Sequence, residues 1–291
     1  MGDALPATSR ASACCGTKVA TFLCSCKHLT NFGGMNTDSI PALSASRRKQ
    51  IASLQQPKHR RELRLFVAEG AKCISELIGI FECRMIIATH AWLEKDLFRF
   101  PPETEIAKAT RADMERISSM SNAPEVIAVM KMPESAGTAD TDGLTVALDG
   151  VQDPGNMGTI IRACDWFGIR SIVCSRDTVD VYNPKVVQAT MGALARVAVT
   201  YTDLPAWLRQ LPGDIEVYGT FLDGDDIYGA QLGAHGVIVM GNEGKGISPE
   251  VAATVNRRLF IPPYPRDARH VESLNVSMAT AIVLSQFRKN I

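Results

Sequence analysis

From residue 41 onward, short apolar runs alternate with stretches of helical periodicity. Ser44 caps a predicted helix that runs to Gln56, where Pro57 stops it. Strand Leu63–Ala68, helix Ala71–Ile78, strand Arg84–Ala88 and helix Trp92–Phe98 follow, then strand Glu105–Ala109, helix Arg111–Met120 and strand Val126–Met130. The polar stretch Met132–Gly143 breaks the pattern and reads as a linker. A second alternation begins with strand Thr145–Val151, helix Met157–Phe167 and strand Ser171–Cys174. Helix Pro184–Leu194, strand Arg196–Tyr201 and helix Pro205–Gln210 come next. Strands Ile215–Phe221, Val237–Met240 and Arg258–Ile261 enclose helix Pro249–Val255, and helix Ser273–Lys289 closes the chain. That last helix is apolar nearly all round, which predicts burial. Short apolar strands with intervening helices predict a mostly parallel sheet covered on both faces. The expected class is α/β. The expected organisation is a leader over 1–36, a small α/β unit over 37–132, a linker over 133–143 and a larger parallel-sheet unit over 144–291.

The chain has 291 residues with 46% hydrophobic and 21% charged positions, the balance of a packed protein with room for two domains. No run of about 18 apolar residues is present, so a membrane-spanning helix is not expected. Thirty-one basic residues balance thirty-one acidic ones, so only their distribution can point to a partner. Between residues 41 and 75 lie Arg47, Arg48, Lys49, Lys58, Arg60, Arg61, Arg64 and Lys72, opposed only by Glu62 and Glu69. Such a run is often just a solvated face. Here it opens a helix, where the dipole disfavours cations, and that placement points to an anionic partner such as a phosphate backbone.

Of the eight cysteines, Cys73, Cys83, Cys164 and Cys174 stand singly in apolar surroundings, as small buried hydrophobes do. That usage suits a reducing cytoplasm rather than a disulfide framework. Cys14, Cys15, Cys24, Cys26 and His28 lack paired CxxC spacing, so no metal is expected there. Residues 1–34 show no period and carry one acidic residue. They read as a disordered leader or an over-long start whose true beginning is Met35, with a transit peptide as the lesser reading.

Three segments carry candidate chemistry. In Leu148–Arg162, LDGVQDPGNMGTIIR, a strand ends, a DPGN turn follows and a helix starts, which places Asn156 and Arg162 near the edge where such folds bind ligands. A plain strand–turn–helix with a capping Asn accounts for it equally well. Met240–Ser248, MGNEGKGIS, has three glycines in six residues after an apolar strand, a sign of sharp turning or close approach to a ligand. It is not a Walker loop, because Ile247 follows Gly246, and its GxxGxG order is not the dinucleotide fingerprint. In the third, IPPYPRDARHVESLNVSMATA from Ile261, Ser273 and Asn275 precede an apolar helix, where such residues are often simply caps.

In this order the three segments resemble the motifs of the SpoU (TrmH-type) RNA ribose methyltransferases of the SPOUT superfamily: DPxNxGxxxR, GNEGxG and SLNVSxA. Asn183–Val199 resembles the stretch between the first two. The likeness is close over 144–288 and looser over 41–131, which is similar to the substrate-binding unit that often precedes the catalytic one. The resemblance implies a trefoil-knotted domain, a homodimer with sites near the subunit interface, and S-adenosylmethionine as cofactor. It places Gly241, Ile261 and Leu274 against the cofactor, with the loop after strand Ile215–Phe221 nearby. Arg162 is implied as the catalytic arginine, with Asn156, Glu243, Ser273 and Asn275 completing the site. A guanidinium is rarely neutral, so Arg162 is expected to act as a cation on the RNA rather than as a base. The loop before SLN is longer here than in the family and lacks glycine, and Arg266, Arg269 and His270 in it are candidates for RNA contact. The implied function is methyl transfer to a ribose 2′-hydroxyl. The amino-terminal unit points to ribosomal rather than transfer RNA. A transfer-RNA enzyme, a base methyltransferase of the same superfamily and a non-catalytic RNA-binding protein are the alternatives.

Overall fold

The computed structural model describes residues 30–31, 37–95, 99–134, 143–266 and 268–289. The possible metal cluster in the leader and most of the expected linker therefore lie outside the described residues. Two residues of the expected leader, β1 (Thr30–Asn31), pair antiparallel with β4 (Arg99–Phe100).

The amino-terminal half holds α1 (Ala45–Ser53), α2 (Pro57–Leu63), β2 (Leu65–Glu69), α3 (Ala71–Leu77), β3 (Cys83–Thr89), α4 (His90–Leu93), β5 (Glu105–Ala109), α5 (Arg111–Ile117) and β6 (Val126–Lys131). Its sheet has the order β2-β6-β3-β5, with β6 antiparallel to both neighbours and β3 parallel to β5. Ser44 caps α1 as expected, accepting from Arg47 N–H. Pro57 was expected only to stop that helix. It opens α2 instead, because proline's missing N–H costs nothing in a first turn.

The carboxyl-terminal half follows with β7 (Leu144–Leu148), α6 (Pro154–Trp166), β8 (Ser171–Ser175), α7 (Pro184–Ala189), β9 (Ala198–Thr202) and α8 (Leu204–Arg209). It is completed by β10 (Val217–Asp226), β11 (Gly236–Met240), α9 (Pro249–Ala252), β12 (Arg257–Phe260) and α10 (Val276–Arg288). Six parallel strands lie in the order β12-β10-β11-β7-β8-β9. Alternation along β7 explains how both faces are covered. Val146 and Leu148 join a core with Met157, Ile160 and Ile161 of α6 and Val283 and Leu284 of α10. Ala147 faces the other way, towards Leu204 and Leu208 of α8 and Val251 of α9. The first core also takes in Phe66, Ile74 and Leu77 of the amino-terminal half, so buried packing crosses from one sheet to the other.

Among the described residues, no helix is long and apolar enough to cross a membrane. The closing helix departs from expectation in two ways. It starts at Val276, since Asn275 caps it and Ser273 lies outside. It is also not buried all round, for Met278 is 62% exposed.

Candidate active site

The strand order reverses between β7 and β11: from β7 the sheet grows one way through β8 and β9, and the other way through β11 and β10. The loops at the carboxyl ends of the two strands beside such a reversal are the usual ligand site of a parallel sheet. The first two motif segments are those two loops. Asp149 N–H donates to Met240 O at 2.9 Å, Ser248 N–H donates to Asp149 Oδ2 at 2.7 Å, and Asn242 Nδ2 donates to Gly150 O at 2.6 Å. Gly150 turns with φ +71°, and its N–H donates to Ser175 Oγ at 2.8 Å.

The glycine loop closes on itself. Asn242 N–H and Gly246 N–H each donate to the other's carbonyl at 2.9 Å. Asn242 Oδ1 accepts from Gly244 and Lys245 N–H at 2.9 and 3.0 Å. A Cβ on Gly241 would stand 2.3 Å from Gly246 C and Ile247 N, so only glycine fits there.

This closure holds Glu243 out towards α6. Glu243 Oε1 accepts from Asn156 Nδ2 at 3.1 Å and Asp153 N–H at 3.3 Å, and its Oε2 accepts from Gln152 N–H at 3.4 Å. Asn275 Nδ2 donates to Asn156 Oδ1 at 2.9 Å, while Asn275 Oδ1 caps α10 through Ser277 and Met278 N–H. A chain Asn275–Asn156–Glu243 thus joins all three segments. Burial pushes the Glu243 carboxyl up, but hydrogen bonds from Asn156 and the backbone N–H groups of Glu243, Asp153 and Gln152 outweigh it and hold it below its ordinary value. The carboxylate is therefore ionised at neutral pH and accepts only.

The sequence alone equally allows Asn156 as the cap of this helix. The cap is Asp153, whose Oδ1 accepts Asn156 N–H at 2.7 Å, and α6 starts at Pro154 rather than near Met157. This frees the Asn156 side chain for the chain above. Arg162 is not in it. Six positions further along a helix of 3.6 residues per turn, it lies roughly 120° round from Asn156. It is exposed and has no ion pair or hydrogen bond among the described residues. Ser273 is exposed ahead of α10 and outside the chain as well.

Comparison with known proteins fits this geometry. Residues 143–285 match the SpoU rRNA Methylase family and residues 46–128 the MRM3-like substrate binding domain. A 23S rRNA (uridine(2479)-2′-O)-methyltransferase of Streptomyces viridochromogenes is 30% identical over 68% of this chain and 71% of its own length. A solved TrmH-family structure from Porphyromonas gingivalis is 42% identical, with TM-score 0.76 over 86% of this chain and 99% of its own. The chain belongs to the SpoU/TrmH family. A further family relative, the 23S rRNA (guanosine(2553)-2′-O)-methyltransferase RlmP of Bacillus subtilis, is 27% identical over 82% of this chain and 95% of its own. The S-adenosylmethionine-bound rRNA methyltransferase of Sinorhizobium meliloti is 27% identical, with TM-score 0.73 over 87% and 97%.

The SpoU/TrmH cofactor fits the residues present. The carboxyl ends of β12, β10 and β11 stand side by side. β10 bulges over 221–224 and rejoins β12 at Leu259, with Gly224 so close that a Cβ would meet Leu259 backbone at 2.6 Å. Half-buried Ile261 follows β12, and Leu274, 46% exposed, precedes α10, so both offer apolar surface on the loops after this edge of the sheet. Apolar side chains beside bulged and looped backbone are the surroundings an adenosine needs. Among the described residues, no cluster of His, Cys, Asp or Glu could hold a metal. Sequence reasoning missed the supporting side chains Asp149, Asp153 and Asn242. The Asp-Pro step, which sets Asp153 just before a helix-starting proline, was the one legible signal.

Proposed function

We propose that this chain methylates ribose 2′-hydroxyls in ribosomal RNA, using S-adenosylmethionine. The single observation that carries the reading is the Asn275–Asn156–Glu243 chain at the switch point of the parallel sheet. S-adenosylmethionine supplies an electrophilic methyl group when bound. Gly241, Ile261 and Leu274 hold it by backbone and apolar contact. The residues of the chain do the rest. Glu243 fixes which way the Asn156 amide points, since a carboxylate accepts only from its NH2 group. Asn156 then holds its carbonyl towards Asn275, and the rigid set orients the ribose for in-line attack. Arg162 stays cationic and binds phosphate or the emerging alkoxide. Ser273 supplies a hydroxyl at the rim.

Residues 37–132 hold the RNA and residues 144–291 transfer the methyl group, joined by 133–143. The break between the two sheets and the two separate family matches support this division. A trefoil knot at the carboxyl end is supported by the path of the chain. It runs out to β12 at the sheet edge and returns to pack α10 on α6. A homodimer belongs to the same reading and is supported by large apolar side chains left exposed on two helices packed together, Trp166 on α6 at 86% and Met278 on α10 at 62%. Pairing through these helices would bring Arg162, one turn before Trp166, to a site near the interface. With ribosomal RNA as substrate, the place of action is the cytoplasm.

The test is to incubate the protein with protein-free ribosomal RNA and methyl-labelled S-adenosylmethionine and map the modified atoms. Label on a ribose 2′-oxygen is expected. Label on a base, or none with a cofactor-bound protein, overturns the reading.

A further inference from the structure

Arg60 was expected on an RNA-facing basic surface. It is instead 1% exposed, among the most deeply buried large side chains described. Its Nε and Nη2 donate to Asp180 Oδ2 at 3.0 and 2.6 Å, and its Nη1 donates to Leu54 O and Gln55 O at 2.8 Å each. Asp180 belongs to the other half of the chain, and its second oxygen accepts Tyr182 N–H at 3.0 Å. A second arginine spans the same boundary from the other side. Arg196 Nε and Nη2 grip Asp165 of α6 at 2.9–3.0 Å, while its Nη1 donates to Glu76 Oε2 of α3 at 2.7 Å.

Between these pairs the packing leaves little slack. The Phe66 and Tyr182 rings pack at a tilt with centroids 4.9 Å apart, and a Cβ on Gly192 would meet Glu76 Cβ at 2.4 Å. Helix α7 is wedged between β2 and α6, and Gly158 of α6 lies so near Ala189 that an added Cβ would meet that methyl at 2.3 Å. The helix carrying Asn156 and Arg162 is thus held to the amino-terminal sheet through α7, Arg60–Asp180 and Asp165–Arg196–Glu76.

We propose that Arg60, Asp180 and Arg196 determine which nucleotide is methylated, by locking the RNA-holding half at a fixed distance from the methyl-transfer site. This rests on the function proposed above. Arg60 is buried, with every guanidinium nitrogen bonded, and such a pair adds little net stability and is better suited to fixing one arrangement. A fixed spacing selects a folded RNA that presents its ribose at that distance from the element gripped by the amino-terminal half. Short unstructured strands would not use it. All three are positioning residues, since none lies in the site itself.

The experiment compares the full chain with Arg196→Gln and with the double variant Arg60→Met/Asp180→Leu, which removes both charges of the pair together. Arg196 is exposed, so its variant keeps the test open if the double variant does not fold. Solution scattering should show a broader distribution of interatomic distances in the variants. A misplacement of about 1 Å can cost about a hundredfold, so kcat/KM on protein-free ribosomal RNA should fall about ten- to a hundredfold. Methyl groups should spread to nucleotides beside the wild-type position. On a short oligonucleotide spanning that position, kcat should stay within about twofold of wild type. Unchanged scattering from both variants overturns the lock. Broadened scattering with kcat/KM and a single methylated nucleotide retained overturns the role in specificity. A wild-type protein that methylates no RNA overturns the function above and the choice of nucleotide with it, while the scattering still decides the lock.

Discussion

Asn275 Nδ2 donates to Asn156 Oδ1 at 2.9 Å, joining the start of the last helix to the first turn of α6 across 119 residues of chain. The bond uses both ends of each amide: Asn275 caps its own helix with Oδ1, and Asn156 passes its NH2 group on to Glu243. Asn156→Asp would set a second carboxylate against Glu243 and remove the donor between them. Methyl transfer should fall about a hundredfold, as expected when the set that orients the ribose is misplaced by about 1 Å, with cofactor affinity nearly unchanged. Single-turnover kinetics and calorimetry with S-adenosylhomocysteine check the two halves of that statement. Near-normal transfer would remove Asn156 from the site.

Glu243 should set the acid limb of the pH profile. Its carboxyl is held below the ordinary 4.5, so the ionised form and its bonds are fully present above that value and are lost as pH falls through the lower folded value. The rate at saturating RNA should therefore show no Glu243 titration between neutrality and about the ordinary carboxylate range. Glu243→Gln keeps one accepting oxygen where the carboxylate has two, and should lower the rate at every pH. A profile that breaks near neutrality and loses the break in Glu243→Gln would contradict this.

Arg162→Ala should abolish transfer on the correct RNA, by about 10²–10³, with cofactor affinity unchanged. Among the described residues the Arg162 side chain has no hydrogen bond or ion pair to the glycine loop, Asn156 or Asn275, so its removal leaves the bonds of that chain in place. A variant that keeps half its activity would take Arg162 out of the reaction.

Gly158→Ala tests the wedge of α7 against α6. The new methyl would meet Ala189 Cβ at 2.3 Å and its carbonyl carbon at 2.9 Å, and backbone cannot step aside as a flexible side chain can. Overpacking of this kind costs about 1–3 kcal/mol, which thermal or urea unfolding would read directly. An unchanged midpoint would show that the two helices separate more easily than their packing indicates.

RNA affinity should depend on fewer cations than the basic run contains. Arg47 and Arg48 pair with Glu105 and Asp113, Arg64 donates to Pro133 O, and Arg60 is buried. Exposed Lys49, Arg61 and Lys72 have no such partner among the described residues. Replacing these three by Gln should weaken binding to ribosomal RNA and flatten its salt dependence, by about one logarithmic unit of slope for each phosphate no longer neutralised. Binding that is unaffected would make the run a solvated face. Among the other candidates for RNA contact, Arg266 is engaged with Asp226, and His270 with Pro265 O.

Period and punctuation in the sequence determined the order of elements. Strand Glu105–Ala109 agrees at both ends. β7, β8 and β11 agree to within a few residues, because a buried parallel strand must be apolar on both faces and short. The three motif segments were legible for a related reason: glycines at a crowded turn and an Asp-Pro step at a helix start are local requirements, written where they act. The helix opened by Pro57 was misjudged because proline both ends one helix and starts the next, and local pattern does not distinguish the two. What lay beyond the sequence was every relation that spans the chain. Asn156 stands 87 residues from Glu243 and 119 from Asn275, and only the reversal of strand order brings their loops to one edge. Arg60 read as one more cation in a basic run. It became a buried partner of Asp180, 120 residues on, because α2 presents it to the other half of the chain, and burial belongs to packing rather than to composition.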